Sequence, residues 1–439
     1  MNLSVLGLLL RPAPGQRSVL ALPIVAFAVV TTLVLTVVGG AQAFWTWTDD
    51  EAVLYQGLAA IALVLLVVPL TSLGGAAARL SARRRDERLS TLRLLGVTPG
   101  GVTTATVVES VLVAAAGAVI GIGGHLALSP LIGLIPFRGE PLGLSAVVLP
   151  PVMIAAVVAG VLVLAAGSAV VGLRRVVISP LGVRTRTAPT SVHWIRAVIA
   201  IAGIAVAFAL IKVFPMIGGV VATIAVLAAM FALALSVLNL LGPWVLKVSA
   251  GRQLRRAERP ERLLAARLVL DSPKAAWRQV GGIAMASFMA VFAGTGVALL
   301  DTIGASDDPS SIALAEDIRT GLIITLIGSF LMVAASVGVN QASDVLDKSD
   351  LHESLHHLGM PVETVDRARR RAIMSPLLVT AVGSALCAAV LVFPLVGIAL
   401  IVAPLSLMTI ATVVAVGIGV VWASTWATRP LLDRAFAPA

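Results

Sequence analysis

Ten long apolar runs separated by short polar gaps organise this chain: 19–40, 55–77, 102–126, 147–172, 196–215, 218–246, 280–301, 320–341, 373–393 and 402–426. Each reaches the roughly 20 mainly apolar residues that a helix needs to cross a bilayer. The pattern predicts an all-α integral membrane protein of about ten transmembrane helices. Residues 373–426 are almost uninterrupted apolar sequence, broken by Pro394 and Pro404, so part of 393–405 is expected to lie in the interface rather than to cross. The first run follows Arg11 and Arg17 and ends in Ala41-Gln42-Ala43, a triplet like a signal-peptidase site. That run is longer than the apolar region of about 7–15 residues in a signal peptide, which predicts an uncleaved anchor.

Charge sorts the gaps into two sides. Of 32 Lys and Arg, 29 fall in alternate gaps on the side of the N-terminus, and only Arg138, Lys212 and Arg319 fall on the other. Basic residues flanking a span tend to stay cytoplasmic. This predicts a multi-pass membrane protein with both termini in the cytoplasm, Arg429 and Arg434 included. The outer gaps are short and acidic, with Asp49, Asp50, Glu51, Glu140 and Asp317 among their residues, and the gap at 302–319 is too small for an extracellular domain. The inner gaps near 78–101, 173–195, 247–279 and 342–372 are longer and highly charged, so soluble partners are expected there.

Composition agrees. The chain is 59% hydrophobic and 12% charged, with mean hydropathy +1.02, against about 25% charged in soluble domains. The net charge of +10 does not indicate nucleic acid, because the basic loops lack the aromatic platforms on which bases stack; anionic lipid of the inner leaflet accounts for it. The single cysteine, Cys387, lies inside an apolar run, which excludes an intrachain disulfide and a thiolate metal cluster.

An internal repeat is visible at an offset of 263: Leu92, Leu95 and Gly96 match Leu355, Leu358 and Gly359. Spans one to four then pair with seven to ten. This gives two parallel four-span modules, 1–192 and 251–439, joined by a hairpin of spans five and six over 193–250. Parallel repeats about an axis along the membrane normal are a common transporter plan.

Both repeated segments carry short amphipathic helices. In the first, Leu89, Leu92 and Leu95 form a stripe beside Arg83, Arg84, Arg85 and Arg88, Gly96 suits a C′ stop, and Thr98-Pro99 a new start. In the second, Leu351, Leu355 and Leu358 form the stripe, Gly359 stops it, and Pro361 restarts. Each is either an interfacial anchor covering lipid or a docking helix for a cytosolic partner. The second is acidic, with Asp344, Asp347, Asp350 and Glu353 against Lys348. The inner leaflet is itself negative, which favours a protein partner there.

The run Arg83-Arg84-Arg85-Asp86-Glu87-Arg88-Leu89 through Leu95-Gly96-Val97-Thr98-Pro99, followed by Glu109 in an apolar run, resembles the core signature of FtsX-like permease domains, the membrane subunits of bacterial ABC transporters. Ile178-Ser179-Pro180-Leu181-Gly182-Val183-Arg184 resembles the segment that closes such a domain, and Leu264 to Pro273 the lead-in to a second copy. The second copy departs from the pattern at Asp350, His352 and Ala372. The ten-span plan is similar to bacitracin-efflux-type permeases without their large extracellular domain.

The resemblance implies a permease subunit that docks a dimeric cytosolic ABC ATPase through its inner-loop helices, with ATP and Mg on that partner and no cofactor in this chain. ATP-driven closure would move spans two and three against eight and nine. The substrate would be amphipathic, peptide or lipid-linked, taken from the membrane; the family's substrates include antimicrobial peptides, macrolides, haem and lipoproteins, which brings antibiotic resistance within scope. The short outer loops leave room for only a small membrane or extracellular accessory protein.

The residues carry other signals. No G-x-x-x-x-G-K-[ST] occurs, so the chain has no Walker A loop. His352-Glu353-Ser354-Leu355-His356 spells H-E-x-x-H, which on a helix sets two His for zinc with Glu as base, and His357, Glu363 and Asp366 lie near as a third ligand. Against this, the helix stops at Gly359 and offers little rigid scaffold. A membrane zinc metalloprotease is therefore the alternative, and a non-transporting scaffold or sensor a third class. Glu109, the one acid in the interior of a span, is a candidate for interfacial pairing or for a relay. His125 and Asn340 are read as polar caps at span ends. Gly117, Gly121, Gly123 and Gly124 make a smooth face for close packing, within the chain or between copies. Tyr55 and the tryptophans near span ends, such as Trp45 and Trp47, fit an interfacial belt.

Overall fold

The structure, a computed structural model, describes residues 17–49, 51–83, 99–177, 220–303, 309–347, 354, 357–426 and 429. It is helical almost throughout. The helices are α1 (Arg17–Gln42), α2 (Ala52–Arg83), α3 (Pro99–Gly133), a short α4 (Leu144–Val147), α5 (Pro151–Val177), α6 (Val220–Arg255), α7 (Pro260–Asp271), α8 (Pro273–Ile303), α9 (Pro309–Asp347), α10 (Val362–Leu391), α11 (Phe393–Val402) and α12 (Pro404–Trp426). Among the described residues eight helices are long and apolar enough to cross a membrane. They cover the first four and last four apolar runs. The sixth run lies in α6, and the fifth lies outside the described residues. The ten residues of α11 reach about 15 Å, too short to cross. Phe393 and Ile401 on it are 71% and 84% exposed.

The chain divides into two compact units. In the first, α1 packs along α3, α2 along α9, and α5 against α2 and α3. Phe27 and Val30 of α1, Leu73 and Leu80 of α2, Ala114 of α3 and Met332 of α9 share one buried core. Helices in lipid gain little from hydrophobic burial, so small residues and interhelical hydrogen bonds do much of the holding. The α1–α3 contact shows it. A Cβ at Gly117 would lie 2.6 Å from Cβ of Phe27, and one at Gly121 2.6 Å from Cβ of Thr31. Gly124 faces Thr32, whose Oγ1 donates to the Gly121 carbonyl at 3.1 Å. The glycine face therefore serves packing within the chain, and Gly123 points away from it into open space.

The α2–α9 seam has a register. The hydroxyl of Tyr55 donates to Asp317 at 2.7 Å, Gly328 lies under Leu66, and the hydroxyls of Ser72 and Ser336 are 3.1 Å apart. Partners advance together along both helices, so α2 and α9 run parallel. The separations in sequence are 262 and 264 for the two polar pairs, either side of the repeat offset.

In the second unit α7 lies between α6 and α10 and buries Ala265, Ala266 and Val269. Trp277 of α8 donates its indole N–H to Asn239 of α6 at 2.8 Å, and its ring occupies the space beside Gly242. Gly294 of α8 packs on Ile410 of α12.

Two expectations change. The gap at 302–319 is largely helix, because α9 begins at Pro309 and its polar first turns find partners. His125 is not a span-end cap. Helix α3 continues to Gly133, which leaves His125 fully buried, with Nδ1 3.5 Å from the Thr36 hydroxyl and its carbonyl accepting from Ser129 at 2.8 Å.

Two measurements check this packing. Overpacking a tight contact costs about 1–3 kcal/mol, so Gly121→Leu is expected to lower the thermal unfolding midpoint in detergent by several degrees, and Gly123→Leu to leave it in place. Ser72→Cys with Ser336→Cys, in a chain also carrying Cys387→Ser, should crosslink on mild oxidation; either single cysteine alone should not.

Candidate functional site

The predicted docking residues divide by what the structure describes. Arg83 is the last residue of α2. Its side chain, together with Arg84, Arg88, Leu89, Leu92, Leu95 and Gly96, lies outside the described residues, as do Leu351 and Leu355. Leu358 is described and is 81% exposed, with its N–H bonded to the Ser354 carbonyl at 3.1 Å. Gly359 follows with φ +76°, the left-handed conformation of a C′ glycine, and Pro361 then forms the N-cap of α10. A leucine this exposed beside a helix stop presents apolar surface that no described part of the chain covers.

Glu109 sits in α3, half-buried and engaged with another group. His352, Glu353 and His356 lie outside the described residues. Of the neighbours considered as a third zinc ligand, Asp366 is committed elsewhere: it is buried between Arg369 at 3.0 Å and Arg370 at 2.5 Å. His357 is exposed. Among the described residues no group of three His, Cys, Asp or Glu could hold a metal ion.

The most organised polar cluster lies at the end of the first unit away from Arg83. Strands β1 (Pro136–Phe137) and β2 (Glu140–Pro141) pair antiparallel across Arg138 and Gly139, with φ +55° and +79°. Two successive left-handed residues are the geometry of a tight type I′ hairpin. The turn aims the Arg138 guanidinium at Asp49, with N–O distances of 2.5 and 3.2 Å, and sets it 3.6 Å from Glu51. Its Cζ lies 4.2 Å from the Trp47 ring centre and 4.6 Å from that of Tyr55, which adds cation–π attraction. The Arg138 backbone N–H donates to both oxygens of Asp317 at 3.2 and 3.0 Å, and Tyr55 donates to the same carboxylate. Phe44 stacks on Tyr55 and meets Trp47 and Phe137 edge-on. Asp317 is 7% exposed and Tyr55 5%.

Nothing in this cluster is arranged as a nucleophile with a base. It is a latch tying the α1–α2 loop, the α3–α5 hairpin and the first turns of α9 together. Sequence reasoning placed its members in separate outer gaps and gave Tyr55 and Trp47 only a belt role. The signal that could have found it was Arg138 itself, a cation in one of the alternate gaps that hold almost none of the others. Trp45, Trp244, Trp422 and Trp426 remain exposed near the ends of apolar runs, as the belt reading has them.

Arg138 beside Asp49 holds that carboxyl below its ordinary value. A depressed pKa means the pair contributes at and above the ordinary range near pH ~4 and is lost as pH falls through the lowered value. Removing one partner from a buried hydrogen-bonded group costs about 1–3 kcal/mol. Asp317→Ala strands the Tyr55 hydroxyl and the Arg138 N–H, so it should lower the unfolding midpoint clearly at pH 7. Asp49→Ala, on an exposed pair, should lower it less, and its deficit should disappear in acid.

Residues 59–180 match the family model of the FtsX-like permease C-terminal domain. The matched stretch is a little over a quarter of the chain and takes in most of α2, the Arg83–Gly96 segment, α3 with Glu109, the latch hairpin and α5. No curated protein and no solved structure matches the chain. With eight apolar membrane-length helices among the described residues, the match identifies the chain as a multi-pass, helical membrane protein that carries an FtsX-like permease domain over residues 59–180.

Proposed function

We propose that the chain is the permease subunit of an ABC transporter in the bacterial cell membrane, with both termini cytoplasmic, and that residues 83–96 and 351–359 dock a dimeric ATPase carrying ATP and Mg. The observation that carries this reading is the family match, which brackets the arginine-rich segment between α2 and α3. The absence of a Walker A loop from the sequence leaves hydrolysis to another polypeptide. The 81% exposure of Leu358 supports a docking role for the second segment.

The seam between α2 and α9 supplies a route for the stroke. Arg83 ends α2 and Asp347 ends α9, so the two docking segments follow the same ends of two parallel, hydrogen-bonded helices. Pulling on either segment acts on one seam. The substrate is amphipathic, peptide or lipid-linked and is drawn from the membrane for export or extraction, because the short outer loops provide no capture domain in water.

Burying a leucine side chain contributes about 1.5–3 kcal/mol, so losing one at an interface weakens binding at least about tenfold. The double variant Leu92→Asp with Leu355→Asp is expected to lose the ATPase that co-purifies with the wild-type chain, and Leu358→Asp to reduce it. Undiminished co-purification with the double variant, at wild-type expression and unfolding midpoint, would remove both segments from the docking surface.

A further inference from the structure

At the arginine-rich end of the second unit, the last turns of α6, the start of α7 and the first half of α10 flank an open pocket of about 230 Å³. Its lining is Arg252, Gln253 and Arg256 from α6 and the turn after it, Arg262 from α7 and Arg371 from α10. The amide of Gln253 donates to the Ser375 hydroxyl at 2.5 Å, which fixes α6 to α10 beside the pocket. Buried Ala265 and Ala266 hold α7 against the same helices.

The four arginines are exposed, and among the described residues none has a carboxylate partner. The buried acid of α10, Asp366, is already held by Arg369 and Arg370. Converging guanidiniums repel one another unless an anion lies among them. Their planar fork of donors fits phosphate oxygens in pairs.

One further feature chooses among phosphate-bearing ligands. The loops that meet here, 247–279 and 342–372, are those the charge bias assigns to the cytoplasmic face, where the leaflet is anionic and basic pockets at helix ends take lipid head groups. We infer that this pocket binds the phosphate head group of an anionic phospholipid of the inner leaflet. The lipid joins α6, α7 and α10 at their common end. This goes beyond the permease reading and rests only on the orientation of the chain; it uses none of the docking residues, so either idea can fail without the other.

The test is native mass spectrometry of the full chain in mild detergent, titrated with phosphatidylglycerol or phosphatidylcholine. Wild type should retain phosphatidylglycerol at least about tenfold more tightly, since each arginine near a charged leaflet is worth about fivefold in binding. Arg256→Gln with Arg262→Gln and Arg371→Gln should abolish that preference, while Arg367→Gln, on α10 outside the pocket, should preserve it. Should the triple variant not fold, Arg262→Gln alone is read against Arg367→Gln, with about a fivefold loss expected. Equal retention of the two lipids overturns the inference, as does a triple variant that keeps wild-type preference. Complete displacement of the lipid by millimolar inorganic phosphate would make this a free-anion site and overturn it too. Loss of a co-purifying ATPase with lipid retention intact would assign the arginines to a protein partner instead.

Discussion

The parallel seam between α2 and α9 is the constraint on which the first unit rests. Two helices in lipid have no hydrophobic reason to prefer each other over acyl chains, so what fixes them must be polar or steric. Here it is both. Ser72 and Ser336 meet midway, Gly328 admits Leu66 between them and the end, and Tyr55 and Asp317 close the end. The two polar pairs are separated by 262 and 264 residues, either side of the offset between the two leucine–glycine segments. The serine pair is chemically symmetric. The tyrosine–aspartate pair is not, and that inequality creates the need for a third group.

Arg138 is that group. Arg138 is one of three cations that the charge bias sets apart from the other 29, and in the structure it is neutralised. Asp49 and Glu51 face the guanidinium, two aromatic rings lie under it, and its backbone N–H serves Asp317. The hairpin exists to turn the chain there: Gly139 takes a left-handed conformation at no cost, and Arg138 takes one at a cost that the cluster offsets. By contrast, the arginines that line the pocket beside α7 have no carboxylate partner among the described residues. The second unit also holds arginines as internal counter-ions, Arg369 and Arg370 on Asp366, so its pocket arginines differ from Arg138 in having no such partner.

What was legible in the sequence follows the same physics. Hydropathy located the spans because a bilayer demands about 20 apolar residues whatever the fold. It misjudged 309–319, where Glu316, Asp317 and Arg319 interrupt the apolar pattern, because a hydropathy window stops at charge while a helix stops only when its backbone does. The readable cue was Pro309, which suits the first position of a helix. His125 was misplaced for the same reason at the far end of α3. The glycine face was legible as a packing surface, yet only coordinates could show that Gly117, Gly121 and Gly124 meet α1 while Gly123 does not. The latch was illegible because its members are scattered along the chain, 262 positions apart for Tyr55 and Asp317, and no local period joins them. Of the docking segments, the stop at Gly359 is seen as a left-handed glycine; the leucine stripes, Leu358 excepted, lie outside the described residues.

The seam also restricts how a stroke could travel. A picture in which span two slides freely against span eight conflicts with a buried carboxylate that accepts from both Tyr55 and Arg138. Sliding would strand two buried side chains, Tyr55 and Asp317, at about 1–3 kcal/mol each. The serine pair midway is a weaker tie, between neutral hydroxyls. Resistance to separation therefore rises from the Arg83 and Asp347 ends toward the latch. Under the permease reading, the motion this permits is a scissor pivoting at the latched end, with its largest excursion where the docking segments attach. Breaking the latch should then change how far the stroke reaches across the membrane without changing whether the ATPase binds.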